Sequence, residues 1–244
     1  MNFLLSCLSI LFLPISDGDP HQQIISSSIL SYDLRYWVHV PEGYEDSALP
    51  VMYVTDGKWY REGGKLLETS SEMIASGKVA PHIIVLVDAF DPHNPSLNRR
   101  NSQFLCNPKY VKFYREELIP EIEKKFNVLA GKENRAVLGL SFGGLNSMYF
   151  TAHAGDYFGK VGIQSPAPHP CPDVYEAIDQ ATVLPEQIFL STGTINDKAR
   201  ESRRLKAILE KKDLELSYIE VAEGHNWNNW RPLLDDVLHF FYKK

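Results

Sequence analysis

The chain has 244 residues, of which 44% are hydrophobic and 23% are charged, and its formal net charge at pH 7 is −6. This composition excludes a disordered or collagen-like protein, because it contains enough apolar side chains for a packed core. The mild acidity provides no basic surface for phosphate backbones, so nucleic acid is not expected as a partner.

An uncharged apolar run occupies residues 3–15. It is too short to span a bilayer, but it has the length of the apolar core of a signal peptide. Small residues at Ser16 and Gly18 suit cleavage before Asp19. We therefore expect residues 1–18 to be a signal peptide of a periplasmic or secreted protein that does not insert stably into a membrane. The alternative is a buried N-terminal strand or helix in a cytoplasmic protein.

Short apolar segments that predict strands follow from about residue 24, and no repeat or long linker divides them. Several are apolar throughout, as expected for strands that are covered on both faces of a mainly parallel sheet. The predicted strands are residues 34–40, 50–55, 83–87, 136–140, 161–164, 188–191 and 214–221. The early strands are followed by a hairpin-like turn, which predicts an antiparallel edge.

Helical periodicity occurs between these strands. Residues 110–126 carry apolar side chains at steps of three and four, and Pro120 among them predicts a kink or a break. Further helices are predicted at residues 143–153, 198–212 and 230–242. Strands that alternate with helices along most of the chain indicate one three-layer α/β domain over residues 19–244.

The sequence GLSFGG at residues 139–144 lies between a predicted strand and a predicted helix. In a nucleophile elbow, the serine occupies the tip of a tight turn between strand and helix, in a strained backbone conformation. Glycines two residues either side of Ser141 remove side chains that would collide where the strand and helix approach. The motif predicts Ser141 as a nucleophile, and the alternative is an ordinary glycine-rich turn.

A serine hydroxyl needs a base to accept its proton, and α/β-hydrolases supply serine, acid and histidine in that chain order. His225 follows the predicted strand 214–221, where such a histidine belongs. His239 falls within the predicted C-terminal helix beside apolar residues and suits a packing or surface role. We therefore predict His225 as the general base.

The acid is expected in the loop after the preceding strand. Asp197 is the first carboxylate after the predicted strand 188–191, and we predict that it orients the histidine. Its rivals are Glu201, about one helical turn later, and Glu223, two residues before the histidine. The alternative role for Asp197 is to cap the helix that begins at residue 198.

Acyl transfer also requires hydrogen-bond donors for the developing oxyanion. The backbone N–H of Phe142, directly after the nucleophile, is one candidate. The second is expected in the loop after an early strand, where the N–H of Lys58 or of its neighbour Gly57 is available. The alternative is that Asp56 and Gly57 form a plain turn.

With these residues in place, the chain resembles the putative esterase family, which contains enterochelin esterases, esterase D and feruloyl-type esterases. The matching segments are residues 40–44, 51–57, 100–104, 138–144 and 224–227, with Trp230 and Arg231. The chain departs from the enterochelin-esterase-like pattern at Asn226, where that branch has aspartate, and at Gln103, where glutamate is frequent. The resemblance implies an α/β-hydrolase fold, a serine nucleophile and no metal. The sequence contains no phosphate loop or dinucleotide fingerprint, so no cofactor is expected.

Aromatic residues flank the proposed catalytic loops. Trp59 and Trp227 are expected to border the substrate, and Trp230 is equally consistent with a place in the core. Arg100, on the long polar loop 90–107, could hold an acidic group of the substrate, and a solvated surface position is the alternative.

Two further expectations concern residues outside these motifs. Ser165 and Pro166 end a predicted strand and are expected to shape the rim of the site. The three cysteines, Cys7, Cys106 and Cys171, are too few for a disulfide scaffold or a cysteine-rich zinc site. Cys106 and Cys171 could pair in an oxidising compartment or remain free thiols, since the sequence does not bring them together.

The resulting hypothesis is a serine esterase that cleaves a small-molecule or glycan ester through an acyl-enzyme. One alternative is an acyltransferase that uses the same triad and passes the acyl group to a sugar or an alcohol. A second is a non-catalytic binding module on a hydrolase fold. The natural ester and the oligomeric state stay open.

Overall fold

The computed structural model of the protein describes residues 21–244, so the predicted signal peptide at residues 1–18 lies outside the described part. Its strands are β1 His21–Ser27, β2 Tyr32–His39, β3 Val51–Val54, β4 Ile83–Val87, β5 Arg135–Leu140, β6 Lys160–Gln164, β7 Gln187–Gly193 and β8 Glu215–Val221. Its α-helices are α1 Gly57–Trp59, α2 Leu66–Ala75, α3 Arg100–Phe104, α4 Pro108–Phe113, α5 Ile119–Lys125, α6 Phe142–His153, α7 Val174–Gln180, α8 Ala199–Leu209, α9 Trp227–Trp230 and α10 Leu234–Tyr242. Within residues 21–244, no helix is both long and apolar enough to cross a bilayer.

The strands form one eight-stranded sheet in the order β1-β2-β4-β3-β5-β6-β7-β8. The pairs β1–β2 and β2–β4 are antiparallel, and every other neighbouring pair is parallel. This confirms the predicted, mainly parallel sheet with an antiparallel edge. Strand β1 was not predicted, because its side chains are largely polar and alternate between partly buried and exposed at the edge of the sheet.

Apolar side chains project from both faces of this sheet, which explains why strands such as β3 and β4 are apolar throughout. On β4, Ile83, Val85 and Val87 pack into a core shared with helices α4 to α8. Ile84 and Leu86 point to the opposite face and pack with α2 and α10. Helices therefore cover the sheet on both sides, as the α/β prediction requires.

The predicted helix at residues 110–126 consists of α4, a π-helical turn over Tyr114–Leu118, and α5. The N–H of Ile119 donates to the carbonyl of Tyr114, five residues earlier. Pro120 follows directly, and proline lacks the N–H that an α-helix interior requires. The irregularity lies where the sequence predicts a kink or a break, and it takes the form of a wider helical turn.

A disulfide joins Cys106 and Cys171, whose Cα atoms are 6.4 Å apart. Cys106 follows α3, and Cys171 lies in the loop between β6 and α7. Of the two alternatives left open by the sequence, pairing is therefore the one found. The bond connects two loops that come from distant parts of the chain.

Candidate active site

Ser141 occupies the turn between β5 and α6, with a φ angle of 56°. The strained backbone predicted for a nucleophile elbow is therefore present. A Cβ atom at Gly139 would collide with the carbonyl oxygen of Gly143 and would lie 2.6 Å from Oγ1 of Thr55. Glycine is needed at position 139 because the strand, the helix and the neighbouring loop meet there.

Three side chains meet at the carboxyl ends of β5, β7 and β8. Nε2 of His225 lies 2.8 Å from Oγ of Ser141, and its Nδ1 lies 2.5 Å from Oδ1 of Asp197. The structure thus brings together the serine, acid and histidine that were predicted from chain order. The rival Glu201 instead pairs with Arg200, at 3.5 Å.

The carboxylate of Asp197 is fully buried and densely hydrogen-bonded. Its Oδ2 accepts hydrogen bonds from Oγ of Ser165 and the backbone N–H of Gly193, each at 2.6 Å, and from Nδ2 of Asn229 at 2.9 Å. Burial alone would raise the pKa of Asp197, but the hydrogen bonds from His225, Ser165 and Gly193 outweigh it and lower the pKa to about 2. The residue is therefore ionised at neutral pH.

Ser165 and Trp230 belong to the hydrogen-bond network around Asp197, a role that the sequence did not predict. Ser165 is buried, so the expectation that it shapes the rim is wrong. Its Oγ accepts hydrogen bonds from Nε1 of Trp230 at 2.8 Å and from Nδ2 of Asn229 at 3.2 Å. The buried Trp230 ring meets the His225 ring edge to face, with centroids 4.8 Å apart. Asn229 and Trp230, the last two residues of GHNWNNW, were the sequence signal that could have indicated this network.

The two predicted oxyanion donors both lie in the first turns of helices. Phe142 is the first residue of α6, and Lys58 is the second residue of α1. Backbone N–H groups in a first turn have no acceptor within their own helix. The segments that carry them are in contact, since a Cβ atom at Gly143 would lie 3.0 Å from Oδ2 of Asp56.

Trp59 and Trp227, the predicted substrate-lining residues, are both partly exposed. Trp59 meets the ring of Phe90 edge to face, with centroids 6.3 Å apart. Trp227 packs edge to face on Tyr60, with centroids 5.5 Å apart. Their partial exposure leaves aromatic surface for a ligand.

Arg100 is buried, so the alternative of a solvated surface arginine is wrong. Its guanidinium donates to both carboxylate oxygens of Asp56, each at 2.8 Å, and to the carbonyl of Leu140 at 3.1 Å. The sequence placed Arg100 on a polar loop, and only the fold brings it to a buried carboxylate that lies 44 positions earlier.

The charge state of Asp197 determines how the site can react. An ionised carboxylate accepts the proton on Nδ1 of His225, which leaves Nε2 as the acceptor for the hydroxyl of Ser141. A serine in this arrangement can transfer its proton as it attacks an electrophile. Within residues 21–244, no three or more histidine, cysteine, aspartate or glutamate side chains are grouped so as to hold a metal ion.

The sequence model of the family described as "Putative esterase" matches residues 27–241. The chain belongs to this family. As a member of this esterase family, it is a carboxylic ester hydrolase, and its eight-stranded sheet flanked by helices is of the α/β-hydrolase type.

Individual relatives are distant. An uncharacterized protein of Bacillus subtilis is 23% identical over 91% of this chain and 97% of its own length. The endo-1,4-beta-xylanase/feruloyl esterase of Xylanibacter ruminicola is 26% identical over 84% of this chain and 29% of its own. The enterochelin esterase of Shigella flexneri superposes with a TM-score of 0.82 at 21% identity, over 93% of this chain and 59% of its own. The chain thus spans less than two thirds of the length of both named esterases.

Proposed function

We propose that the protein hydrolyses carboxylic esters through a triad of Ser141, His225 and Asp197 and a covalent acyl-enzyme. The observation that carries this proposal is the continuous hydrogen-bonded chain from Oγ of Ser141 through both ring nitrogens of His225 to the buried carboxylate of Asp197. Membership in the esterase family supports the same reaction class.

In the first half-reaction, Oγ of Ser141 attacks the ester carbonyl carbon while Nε2 of His225 accepts its proton. The resulting imidazolium is stabilised by the ionised Asp197. The backbone N–H groups of Phe142 and Lys58 stabilise the oxyanion of the tetrahedral intermediate. The carbon–oxygen bond to the alcohol then breaks, and His225 returns the proton to the leaving oxygen.

In the second half-reaction, water attacks the acyl carbon while Nε2 of His225 accepts one of its protons. The bond from this carbon to Oγ of Ser141 then breaks, His225 returns the proton to Oγ, and the carboxylic acid leaves. The imidazole is open to this water, because the side chain of His225 is 32% exposed. We propose small-molecule or glycan esters as substrates, with the partly exposed rings of Trp59 and Trp227 as contact surface.

The test compares Ser141→Ala with a matched control, Ser147→Ala. Ser147 lies on helix α6, which begins directly after Ser141, and its buried Oγ has no hydrogen-bond partner among the described residues. We expect Ser141→Ala to lower the kcat for p-nitrophenyl acetate by about 10⁴-fold or more and the control to retain it. A fluorophosphonate probe should label the wild type and the control but not Ser141→Ala. Equal hydrolysis by both variants would refute the triad.

We further propose that the protein works in an oxidising compartment. The disulfide between Cys106 and Cys171 supports this location, because such bonds persist in exported proteins and are rare where thiols are kept reduced. The test is maleimide labelling of protein isolated from its native cells after acid quenching. Neither cysteine should react before reduction, and labelling of both would contradict the proposal.

A further inference from the structure

The buried Arg100 binds two segments of the active site at once. Its guanidinium contacts the side chain of Asp56 with two hydrogen bonds and the backbone carbonyl of Leu140 with a third. Such a fork is specific to arginine, since the ammonium group of a lysine is a point charge and cannot bind both carboxylate oxygens with the same geometry.

Each partner directly precedes a candidate catalytic segment. Asp56 stands immediately before helix α1, whose second residue is Lys58, and Leu140 stands immediately before Ser141. Both Asp56 and Ser141 have positive φ angles, of 57° and 56°, which are costly for residues other than glycine. Two strained turns side by side need contacts from elsewhere in the protein to hold them in place.

The guanidinium of Arg100 also packs against one aromatic ring from each of these two segments. Its guanidinium carbon lies 4.8 Å from the ring centroid of Trp59, at the end of α1, and 5.4 Å from that of Phe142, at the start of α6. The arginine therefore contacts both oxyanion segments, residues 56–59 around Lys58 and residues 140–142 up to Phe142, through aromatic faces as well as through hydrogen bonds.

Removal of the arginine would leave Asp56 without its ion-pair partner. The side chain of Asp56 is only 2% exposed. Burial raises the pKa of Asp56, and the nearby charge and hydrogen bonds of Arg100 act in the opposite direction. Without them, the carboxyl group would have to take up a proton or move toward solvent, and in either case the turn that carries Lys58 loses the ion pair that holds it.

We propose that Arg100 is a positioning residue that sets the distance between the N–H groups of Lys58 and Phe142, and so forms the oxyanion hole. This inference rests on the proposed esterase function. It replaces the expectation that Arg100 binds an acidic group of the substrate, because its guanidinium is already engaged by the protein.

The test uses Arg100→Lys and Arg100→Met, with Arg35→Lys as the matched control. Arg35 forms a similarly buried ion pair with Asp88, at 2.6 Å. The side chains of Arg35 and Asp88 are 17% and 1% exposed, and those of Arg100 and Asp56 are 11% and 2% exposed. The control pair has no hydrogen bond to either oxyanion segment among the described contacts. Arg100→Lys keeps the charge, so it serves as the readout if Arg100→Met fails to fold.

Each variant is assayed with p-nitrophenyl acetate and with mono-p-nitrophenyl succinate, which carries a free carboxylate. We expect Arg100→Lys to lower kcat by about 10- to 100-fold, because loss of one oxyanion donor costs 10²- to 10³-fold and a displaced donor costs less. KM should change by less than about threefold, and the loss should be equal for both esters. The Ki of phenylboronic acid, whose serine adduct places an oxygen in the oxyanion hole, should rise in parallel.

Three results would overturn the positioning role. The first is a kcat for Arg100→Lys equal to that of Arg35→Lys. The second is a loss confined to the succinate ester, which would make Arg100 a substrate-binding residue. The third is a rise in KM without a change in kcat or in the boronic acid Ki. Failure of the proposed function looks different, because the wild type itself would then neither hydrolyse the esters nor react with a fluorophosphonate.

Discussion

Replacing Asp197 by asparagine preserves the shape of the side chain and removes its negative charge. In the wild type, one carboxylate oxygen faces Nδ1 of His225 and the other accepts four hydrogen bonds, the longest from Thr192 at 3.4 Å. An asparagine whose oxygen keeps those four bonds presents its NH₂ group to Nδ1. The imidazole then carries its proton on Nε2, which can no longer accept the proton of Ser141. We expect kcat to fall by about 10⁴-fold, the loss that the same change causes in a serine protease triad.

The same substitution should also reduce stability in a pH-dependent way. Burial raises the pKa of Asp197, but the hydrogen bonds from His225, Ser165 and Gly193 lower it overall from 3.8 to about 2. The pKa of the folded state is therefore below that of the unfolded state, so the charge stabilises the fold above pH 3.8. This contribution is lost as the pH falls from 3.8 toward 2. Its size at pH 7 is no more than about 2.5 kcal/mol, because each pKa unit corresponds to about 1.4 kcal/mol.

Urea unfolding at pH 7 and pH 3, together with p-nitrophenyl acetate kinetics, would test both effects. The matched control is Glu201→Gln, because Glu201 pairs only at 3.5 Å with an exposed Arg200. We expect the control to change stability by less than about 0.5 kcal/mol and to keep its activity. Retention of more than a tenth of kcat by Asp197→Asn, or an equal loss in Glu201→Gln, would refute the assignment of the acid. Equal destabilisation by Asp197→Asn at both pH values would refute the electrostatic reasoning.

Two further predictions concern stability. The disulfide closes a loop with a sequence separation of 65, so Cys106→Ser with Cys171→Ser should lower the free energy of unfolding by about 4 kcal/mol. Urea unfolding checks this, and a change below about 1 kcal/mol would contradict it. Burial lowers the pKa of His82 to about 4 from 6.5, so stability should fall by about 3 kcal/mol between pH 6.5 and pH 4 as the unfolded chain gains a proton. The variant His82→Phe retains an aromatic ring to stack on Tyr242. Its free energy of unfolding, measured in guanidinium, should depend less on pH over this interval. An unchanged pH dependence would mean that other groups cause it.

Sequence patterns predicted the central sheet well and its periphery poorly, for a physical reason. Strands buried on both faces carry continuous apolar runs, so β3 to β7 could be predicted without tertiary information. The edge strand β1 is largely polar, and helices α1, α2, α3 and α7 were also missed. Helices of ten residues or fewer are marginal on their own, and α2 and α7 pack against the two cores of the sheet.

The proposed triad could be predicted because its sequence signals are local. Ser141 lies in a glycine-rich turn between strand and helix, and Asp197 and His225 each follow a recognisable strand. Since the carboxyl ends of parallel strands share one edge of a sheet, chain order was enough to bring the three residues together.

The composition and the order of motifs in this sequence determined a mainly parallel α/β fold, an elbow serine and the two residues that complete its hydrogen-bonded chain. Only the tertiary structure decided what surrounds them: the hydrogen bond from Ser165 to Asp197, the position of Arg100 between Asp56 and Leu140, and the disulfide from Cys106 to Cys171. These contacts join residues that are 32, 44 and 65 positions apart. Local backbone preferences do not encode which distant side chains meet, because that depends on how the loops at one edge of the sheet pack together.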